Sequence, residues 1–214
     1  MTQFNKEKLV CERYILGALD VNTYLVYEKN AKECLIIDPA ANSERLIDKI
    51  NQLGINKVNI FLTHGHIDHI CGIDFYKKMF PESKVLVSKQ DAVMLTDAEK
   101  NLSVWLGEPF STKDADLFVN DGDVVEIGSV KGVARLVPGH TEGGLVLIFD
   151  DMIFSGDTLF AGSVGRSDFP GGSHSKLLTG ITNNIFSLSD RLIFPGHGPE
   201  TTIETEKVNN PFFS

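Results

Sequence analysis

The chain is poor in cysteine, in blocks of lysine and arginine, and in long apolar runs, and each shortage removes a class of protein. Its three cysteines, Cys11, Cys34 and Cys71, are odd in number and widely spaced, with no C-x-x-C pair. That argues against a disulfide framework and for a reducing compartment, with the cytoplasm as the default. No apolar run approaches the roughly 20 residues that span a bilayer, and the opening residues Met1 to Lys6 lead into no apolar segment of secretory length. Lysine and arginine number 20 against 29 acidic residues, a net charge of −9, and no basic block could follow a phosphate backbone. Neither nucleic acid nor a membrane is therefore expected as a partner. Linkers, low-complexity segments and repeats are also missing, which predicts a single domain over 1–214.

What is present is ordinary globular material. Hydrophobic residues make up 42% and charged residues 23%, enough to build a substantial core and too apolar for a disordered chain. Residues 14–16, 23–27 and 34–37 read as strands separated by Gly17, Asp20 and Asn30. Ser43 is placed to cap a helix carrying Leu46, Ile47, Ile50 and Leu53 on one face, with Gly54 as its stop. Strands follow at 58–62 and 84–87, then two capping-box helix starts at Ser88…Asp91 and Thr96…Glu99. Residues 101–114, with Trp105, Gly107 and Pro109, read as a surface loop or lid in which Trp105 is expected to pack rather than meet a ligand. Strands resume at 117–119, 124–127, 133–137, 145–149 and 152–154. Ser173 is placed to cap a helix bearing Leu177, Leu178, Ile181, Ile185 and Phe186. One more strand at 191–194 precedes a polar tail. Strands followed by helices, twice over, imply an α/β or α+β chain with two sheets.

The chemistry is concentrated in Thr63-His64-Gly65-His66-Ile67-Asp68-His69, directly after the strand at 58–62. In extended chain His64 and His66 share a face, whereas Asp68 and His69 fall where a helix begins and neighbours diverge by about 100°. The two pairs can thus serve different centres. Imidazole and carboxylate together are what a borderline divalent metal such as zinc takes. Three further polar residues stop a strand in a glycine turn: Pro138-Gly139-His140, Ser155-Gly156-Asp157 and Pro195-Gly196-His197. Each alone could be a core or turn residue, but together they complete a two-metal donor set on strand-held loops. His174, at a helix start, reads as a surface residue, and Cys71 as a small hydrophobe facing the interior.

The ordered set H-x-H-x-D-H, then a separate His, Asp and His, resembles the metallo-β-lactamase superfamily. The resemblance spans residues 38 to the end. It implies a four-layer αββα sandwich of two mixed sheets flanked by helices. It also implies two divalent metal ions, zinc foremost with iron or manganese as alternatives. His64, His66 and His140 would hold one ion, Asp68, His69 and His197 the other, and Asp157 would bridge them. Asp38-Pro39-Ala40 is similar to the family's Asp-Pro-Gly, with alanine in the glycine position, and would orient a metal-bound histidine. Gly156-Asp157-Thr158, Gly165-Arg166-Ser167-Asp168 and Pro195-Gly196-His197-Gly198 look like the short glyoxalase-II-like branch. That likeness implies hydrolysis of a small acyl thioester such as S-lactoylglutathione, with Asp68 also orienting the nucleophile. The longer relatives carry a C-terminal helical domain that grips glutathione, and the sequence after His197 is short, so modest glutathione affinity is expected. Persulfide dioxygenases, which use a single iron, share a G-R-x-D loop and form the alternative. Lactonases, phosphodiesterases and a non-catalytic binding module rank below them. Arg166 and Asp168 are expected to form a local ion pair.

Overall fold

A computed structural model describes residues 8–213 and the backbone of residues 2–5. The Met1 and Lys6 ends of the sequence's opening segment lie outside the described residues.

Among these residues a first sheet of seven strands runs in sequence order. It comprises β1 (Thr2–Asn5), β2 (Leu9–Leu16), β3 (Val21–Glu28), β4 (Glu33–Ile37), β5 (Lys57–Phe61), β6 (Val85–Ser88) and β7 (Leu117–Val119). The first four pair antiparallel, whereas β4 to β7 are parallel. Parallel pairing needs a crossover, which α1 (Glu44–Gln52) supplies between β4 and β5, and α2 (Ile67–Ile70) with α3 (Ile73–Met79) between β5 and β6. The start of α1 follows from Ser43, whose hydroxyl accepts from the Leu46 N–H at 3.3 Å, and its buried stripe is Leu46, Ile47 and Ile50.

The second sheet has the order β15-β14-β11-β10-β9-β8. Its strands are β8 (Val124–Ile127), β9 (Val130–Leu136), β10 (Leu145–Ile148), β11 (Met152–Gly156), β14 (Leu192–Pro195) and β15 (Thr201–Thr202). The short pair β12 (Leu159–Phe160) and β13 (Ser163–Val164) lies between β11 and β14 in the chain. β11 and β14 are parallel, joined through α4 (His174–Asn184), and α5 (Ile203–Asn209) follows β15.

Side chains alternate between two cores along the inner strands. From β3 and β4, Tyr24, Val26, Leu35 and Ile37 point at Leu145, Leu147, Phe154 and Phe194 of the other sheet. Leu25, Tyr27, Cys34 and Ile36 point the other way, under α1 and α3. The far face of the second sheet buries Val146, Ile153 and Ile193 beneath Leu177, Ile181 and Ile203. The layers are therefore helix, sheet, sheet, helix, the α/β arrangement expected from the sequence.

Four expectations need correction. Neither capping box opens an α-helix: Ser88 does accept from the Asp91 N–H at 3.1 Å, but Ala92–Leu95 is a single 3₁₀ turn. Asp91 cannot reach back because its carboxylate is engaged elsewhere, and Asp97, not Thr96, caps the next turn by accepting from the Glu99 N–H at 3.0 Å. Cys71 is exposed, its thiol donating to the Ile67 carbonyl at 3.0 Å. Trp105 is exposed rather than packed. The tail is not merely polar but contains α5. No helix among the described residues is long and apolar enough to cross a membrane.

Candidate metal centre

Every donor singled out in the sequence sits just beyond the C-terminal end of a strand, and four such ends meet where the two sheets touch. After β5, Thr63 turns the chain because Asp38 captures it twice, accepting from the Thr63 N–H and from its hydroxyl, both at 2.7 Å. Asp38 adopts a left-handed φ of +50°, which aspartate tolerates better than most residues. Gly156, also left-handed, closes β11 against Thr63, and a side chain there would collide with Thr63. The sheets are joined at this end by backbone bonds from Leu145 N–H to Thr63 O and from Asn22 N–H to Gly196 O, each 2.7 Å.

Three imidazoles then converge. His66 Nδ1 lies 2.9 Å from His140 Nε2, which lies 3.3 Å from His64 Nε2. A second group forms alongside, with His197 Nε2 3.4 Å and His69 Nε2 3.7 Å from Asp68 Oδ2. Asp157 faces both groups: Oδ1 is 3.4 Å from His69 Nε2, and Oδ2 is 3.6 Å from His197 Nε2 and 3.7 Å from His140 Nε2. All seven candidate donors are brought together. His174 is exposed and stays outside, touching Ser167 Oγ and Phe212.

Hydrogen bonds on the outer ring nitrogens fix which nitrogen faces inward. His140 Nδ1 can only donate to the Arg166 carbonyl at 2.7 Å, and His197 Nδ1 only to the Leu19 carbonyl at 3.1 Å. His69 Nδ1 donates to Asp38 Oδ2 at 2.9 Å. Thr63 spends its proton on Asp38, so at 3.1 Å it accepts from His64 Nδ1. In their neutral forms these four rings present Nε2 lone pairs to the centre, the orientation that outer carboxylate and carbonyl partners give a metal-binding histidine. Two lone pairs 3.3 Å apart cannot bond each other. His69 Nε2 and Asp157 Oδ1 are buried, face each other at 3.4 Å and make no well-formed hydrogen bond to any group. Such orphaned atoms are costly unless a cation lies between them. A third possible grouping, Asp38 with His64 and His69, is weaker because three donors already occupy Asp38.

Charge divides the two groups. Burial and the neighbouring rings depress His64 well below its ordinary value, and burial takes His66 down to about 3. Burial depresses His140 as well, so the first group is neutral. For His69 burial pulls the same way, but Asp68, Asp157 and Asp38 outweigh it and raise the ring. Burial would raise Asp157, yet His69, His140 and His197 hold it below the usual carboxylate range. In the absence of a cation the second group thus draws a proton to His69, in the position a metal ion would take.

A cleft of about 480 Å³ opens onto both groups, walled by Leu19, Leu102, Trp105, Leu106 and Phe169. Arg166 forks onto Asp168 at 3.0 and 2.8 Å, the expected ion pair, and lies over the Phe169 ring at 4.2 Å.

The model of the metallo-β-lactamase superfamily matches residues 16–197. The chain belongs to that superfamily. Among its relatives, the probable metallo-hydrolase M6_Spy0554 of Streptococcus pyogenes serotype M6 is 35% identical over 200 residues, covering 90% of this chain and 85% of the relative. The hydroxyacylglutathione hydrolase GloC of Haemophilus influenzae is 31% identical over 206 residues, covering 92% and 94%. The crystal structure of BLEG-1 B3 metallo-beta-lactamase superposes with a TM-score of 0.89 at 34% identity, covering 95% of this chain and 99% of that one. That of TTHA1623 in a di-iron-bound form superposes at 0.82 and 28%, covering 94% and 99%. The architecture of this superfamily member is thus that of its structural neighbours, and its chemistry falls among metallo-hydrolases.

Two residues of the site, Asn22 and Asp91, escape the sequence, and a third, Trp105, is one that the sequence assigns to packing. Asn22 holds the His197 turn by donating from its amide to the Pro195 and Gly198 carbonyls at 2.9 and 2.8 Å. Asp91 braces the loops of His66 and His140 from behind. Trp105 walls the cleft. Asn22 and Asp91 are polar residues within runs whose character is set by their neighbours. The glycine and proline around Trp105 were the available signal of a presented turn.

Proposed function

We propose that this superfamily member hydrolyses acyl thioesters with two divalent metal ions. His64, His66 and His140 would hold one ion, Asp68, His69 and His197 the other, and Asp157 would serve both. The observation that carries this is the orphaned pair His69 Nε2 and Asp157 Oδ1, on a carboxylate that faces both histidine groups. The donor set fits zinc, iron or manganese. When bound, a pair of such ions supplies an acidified water and polarises a carbonyl.

The chain's own residues do the rest. In the metal-free chain the His69, His140 and His197 neighbours outweigh the burial that would raise Asp157 and hold it below the usual carboxylate range, so it is available as an anionic donor. Asp68 lines the cleft with Oδ2 beside His197 and His69, where it orients the attacking water and can take its proton. Asp38 and Thr63 keep His69 and His64 aligned. A thiol leaves readily as thiolate, its ordinary pKa being about 8.5, so no separate proton donor is needed. The likeness to GloC supports a hydroxyacyl thioester such as S-lactoylglutathione as substrate.

The test is metal analysis of protein purified without a chelating tag, beside assays of S-lactoylglutathione cleavage and of oxygen uptake with glutathione persulfide. Two ions per chain and thioester cleavage are expected, with Asp157→Ala losing both ions and His197→Ala mainly the second. Full activity with one ion per chain, or rapid oxygen uptake without thioester cleavage, would overturn the assignment in favour of a dioxygenase.

A further inference from the structure

The cleft wall is the largest feature near the centre that hydrolysis itself does not use. Trp105, Leu106 and Leu19 are 61%, 60% and 51% exposed, although large apolar side chains elsewhere in the chain are mostly buried. Scattered exposed leucines mean little, but here they stand together at the mouth of one cleft with Phe169 behind them. Trp105 lies 5.9 Å from the Phe169 ring, which lies 5.5 Å from His66, so one aromatic face leads from solvent to the histidines.

The wall is held rigidly. Residues Ser103–Leu106 form a 3₁₀ turn bracketed by left-handed Leu102 (φ +70°) and Gly107 (φ +84°). A leucine in that conformation is strained, and such strain persists only where the surroundings impose it. The buried Asn101 imposes it: its amide donates to the Met94 and Phe110 carbonyls at 2.9 and 3.0 Å, and its side-chain oxygen accepts from the Ser103 N–H at 2.9 Å. The Asn101 carbonyl accepts from Ile67 N–H at 2.9 Å, between His66 and Asp68. An apolar surface fixed in advance binds without a large ordering cost.

Glutathione, a polar tripeptide with two carboxylates and one ammonium, offers no large apolar group to this wall. Of the cleft's lining residues Arg166 is the permanent cation, with the Nε–Nη2 edge of its guanidinium taken by Asp168 and its face on Phe169. The remaining charged lining residues, Asp68 and Asp157, are among the proposed metal donors, and bound ions would offset their charge.

From this surface we infer that the substrate of the proposed hydrolysis carries an apolar or aromatic group beside the scissile carbonyl. That group packs on Trp105, Leu106 and Phe169, and such thioesters are preferred over those of glutathione. The inference rests on the hydrolase assignment, but its binding component is separable. Trp105 is the single tryptophan of the chain, so intrinsic fluorescence reports on this wall alone. Titration of the metal-loaded protein with a non-hydrolysable phenyl thioether should give a saturable change in tryptophan emission. S-methylglutathione at the same concentrations should give none. Leu106→Ser, which keeps the reporter, should weaken the phenyl ligand several-fold.

A matrix of phenylacetyl and lactoyl groups, each on benzyl thiol and on glutathione, then tells whether the acyl or the thiol side occupies the wall. The better apolar ester should exceed S-lactoylglutathione in kcat/KM by on the order of tenfold or more, and Trp105→Ala should collapse that ratio. An emission response to S-methylglutathione alone, or a ratio unmoved by Trp105→Ala, would overturn the inference. Saturable binding of the phenyl ligand with no thioester cleaved would leave the apolar site standing and remove the hydrolase assignment instead.

Discussion

Asp91 stands behind the candidate donors and binds the loops that carry three of them. Its carboxylate accepts from Thr141 Oγ1 and Gly143 N–H, both at 2.7 Å, and from the Gly65 N–H. Gly65 separates His64 from His66, and Thr141 follows His140. Burial pushes this carboxyl up to about 6, even though all three hydrogen bonds pull it down. The folded chain therefore binds a proton at Asp91 more tightly than the unfolded chain does. The stability this contributes is complete below about pH 4 and is lost as pH rises through about 6, a change on the order of 3 kcal/mol. Asp157 and Asp68, both lowered, act in the opposite sense, so the comparison must be with a variant. Asp91→Asn cannot titrate. In urea denaturation of metal-free protein, the advantage of wild type over Asp91→Asn should shrink by about 2–3 kcal/mol between pH 4 and pH 7. A difference constant across that range would contradict this account. The contrast with the seven donors explains what single residues reveal. Three histidines and an aspartate within six positions have few uses, whereas Asp91 follows Ser88 at capping distance and reads equally well as a helix start.

At the scale of elements, the His197 turn shows how one strand can depend on another in a different sheet. β3 starts at Val21, and its next residue Asn22 bonds the turn after β14 through both backbone and side chain, while Tyr24 adds its hydroxyl to the Pro195 carbonyl at 2.7 Å. Gly196 is obligatory for a different reason: a side chain there would strike Asp157 Oδ1 and lie 2.7 Å from His69 Cε1. In Asn22→Ala the turn keeps Tyr24 but loses both amide bonds. Affinity at the ion proposed for Asp68, His69 and His197 should fall by about 10- to 100-fold, the scale of outer-partner losses at metal sites, with the three-histidine site little changed. Stepwise metal titration by calorimetry would detect this, and equal weakening of both steps would refute it. Elements are legible where one apolar face decides them, as in α1. The helix α5 has little such face, since its interior side is largely Glu206, which accepts from Thr201 Oγ1, Gly162 N–H and Asn210 Nδ2 at 2.6, 2.9 and 2.8 Å. A helix held by a buried carboxylate leaves no hydrophobic period to read.

For the whole molecule the decisive fact is that the candidate donors come from both sheets. His64, His66, Asp68 and His69 follow β5 of the first, and His140, Asp157 and His197 follow strands of the second. Strand alternation alone could not have disclosed this arrangement. The central strands β3 and β4 are buried on both faces over nearly their whole length, so alternation along them marks no preferred face. The ordered donor motif carried that information instead. Ions bound here would clasp the two sheets at one end, while the shared core of Tyr24, Phe154 and Phe194 joins them inside, with ring centroids 5.2–5.7 Å apart. Ligands that bind only the folded state stabilise it by mass action, about 3–4 kcal/mol at 100 to 1,000 times the dissociation constant. For a chain of this size each kcal/mol moves the midpoint by about 2–4 °C. Chelation should therefore lower Tm by roughly 10 °C while unfolding remains a single transition, because the core between the sheets persists without metal. Hydrogen exchange should quicken first at Thr63, Leu145 and Gly196, whose backbone bonds lie under the clasp. A midpoint unmoved after metal loss has been verified would mean that the donors are not bridged by ions in the folded protein, and two separated transitions would mean that the sheets do not share one core.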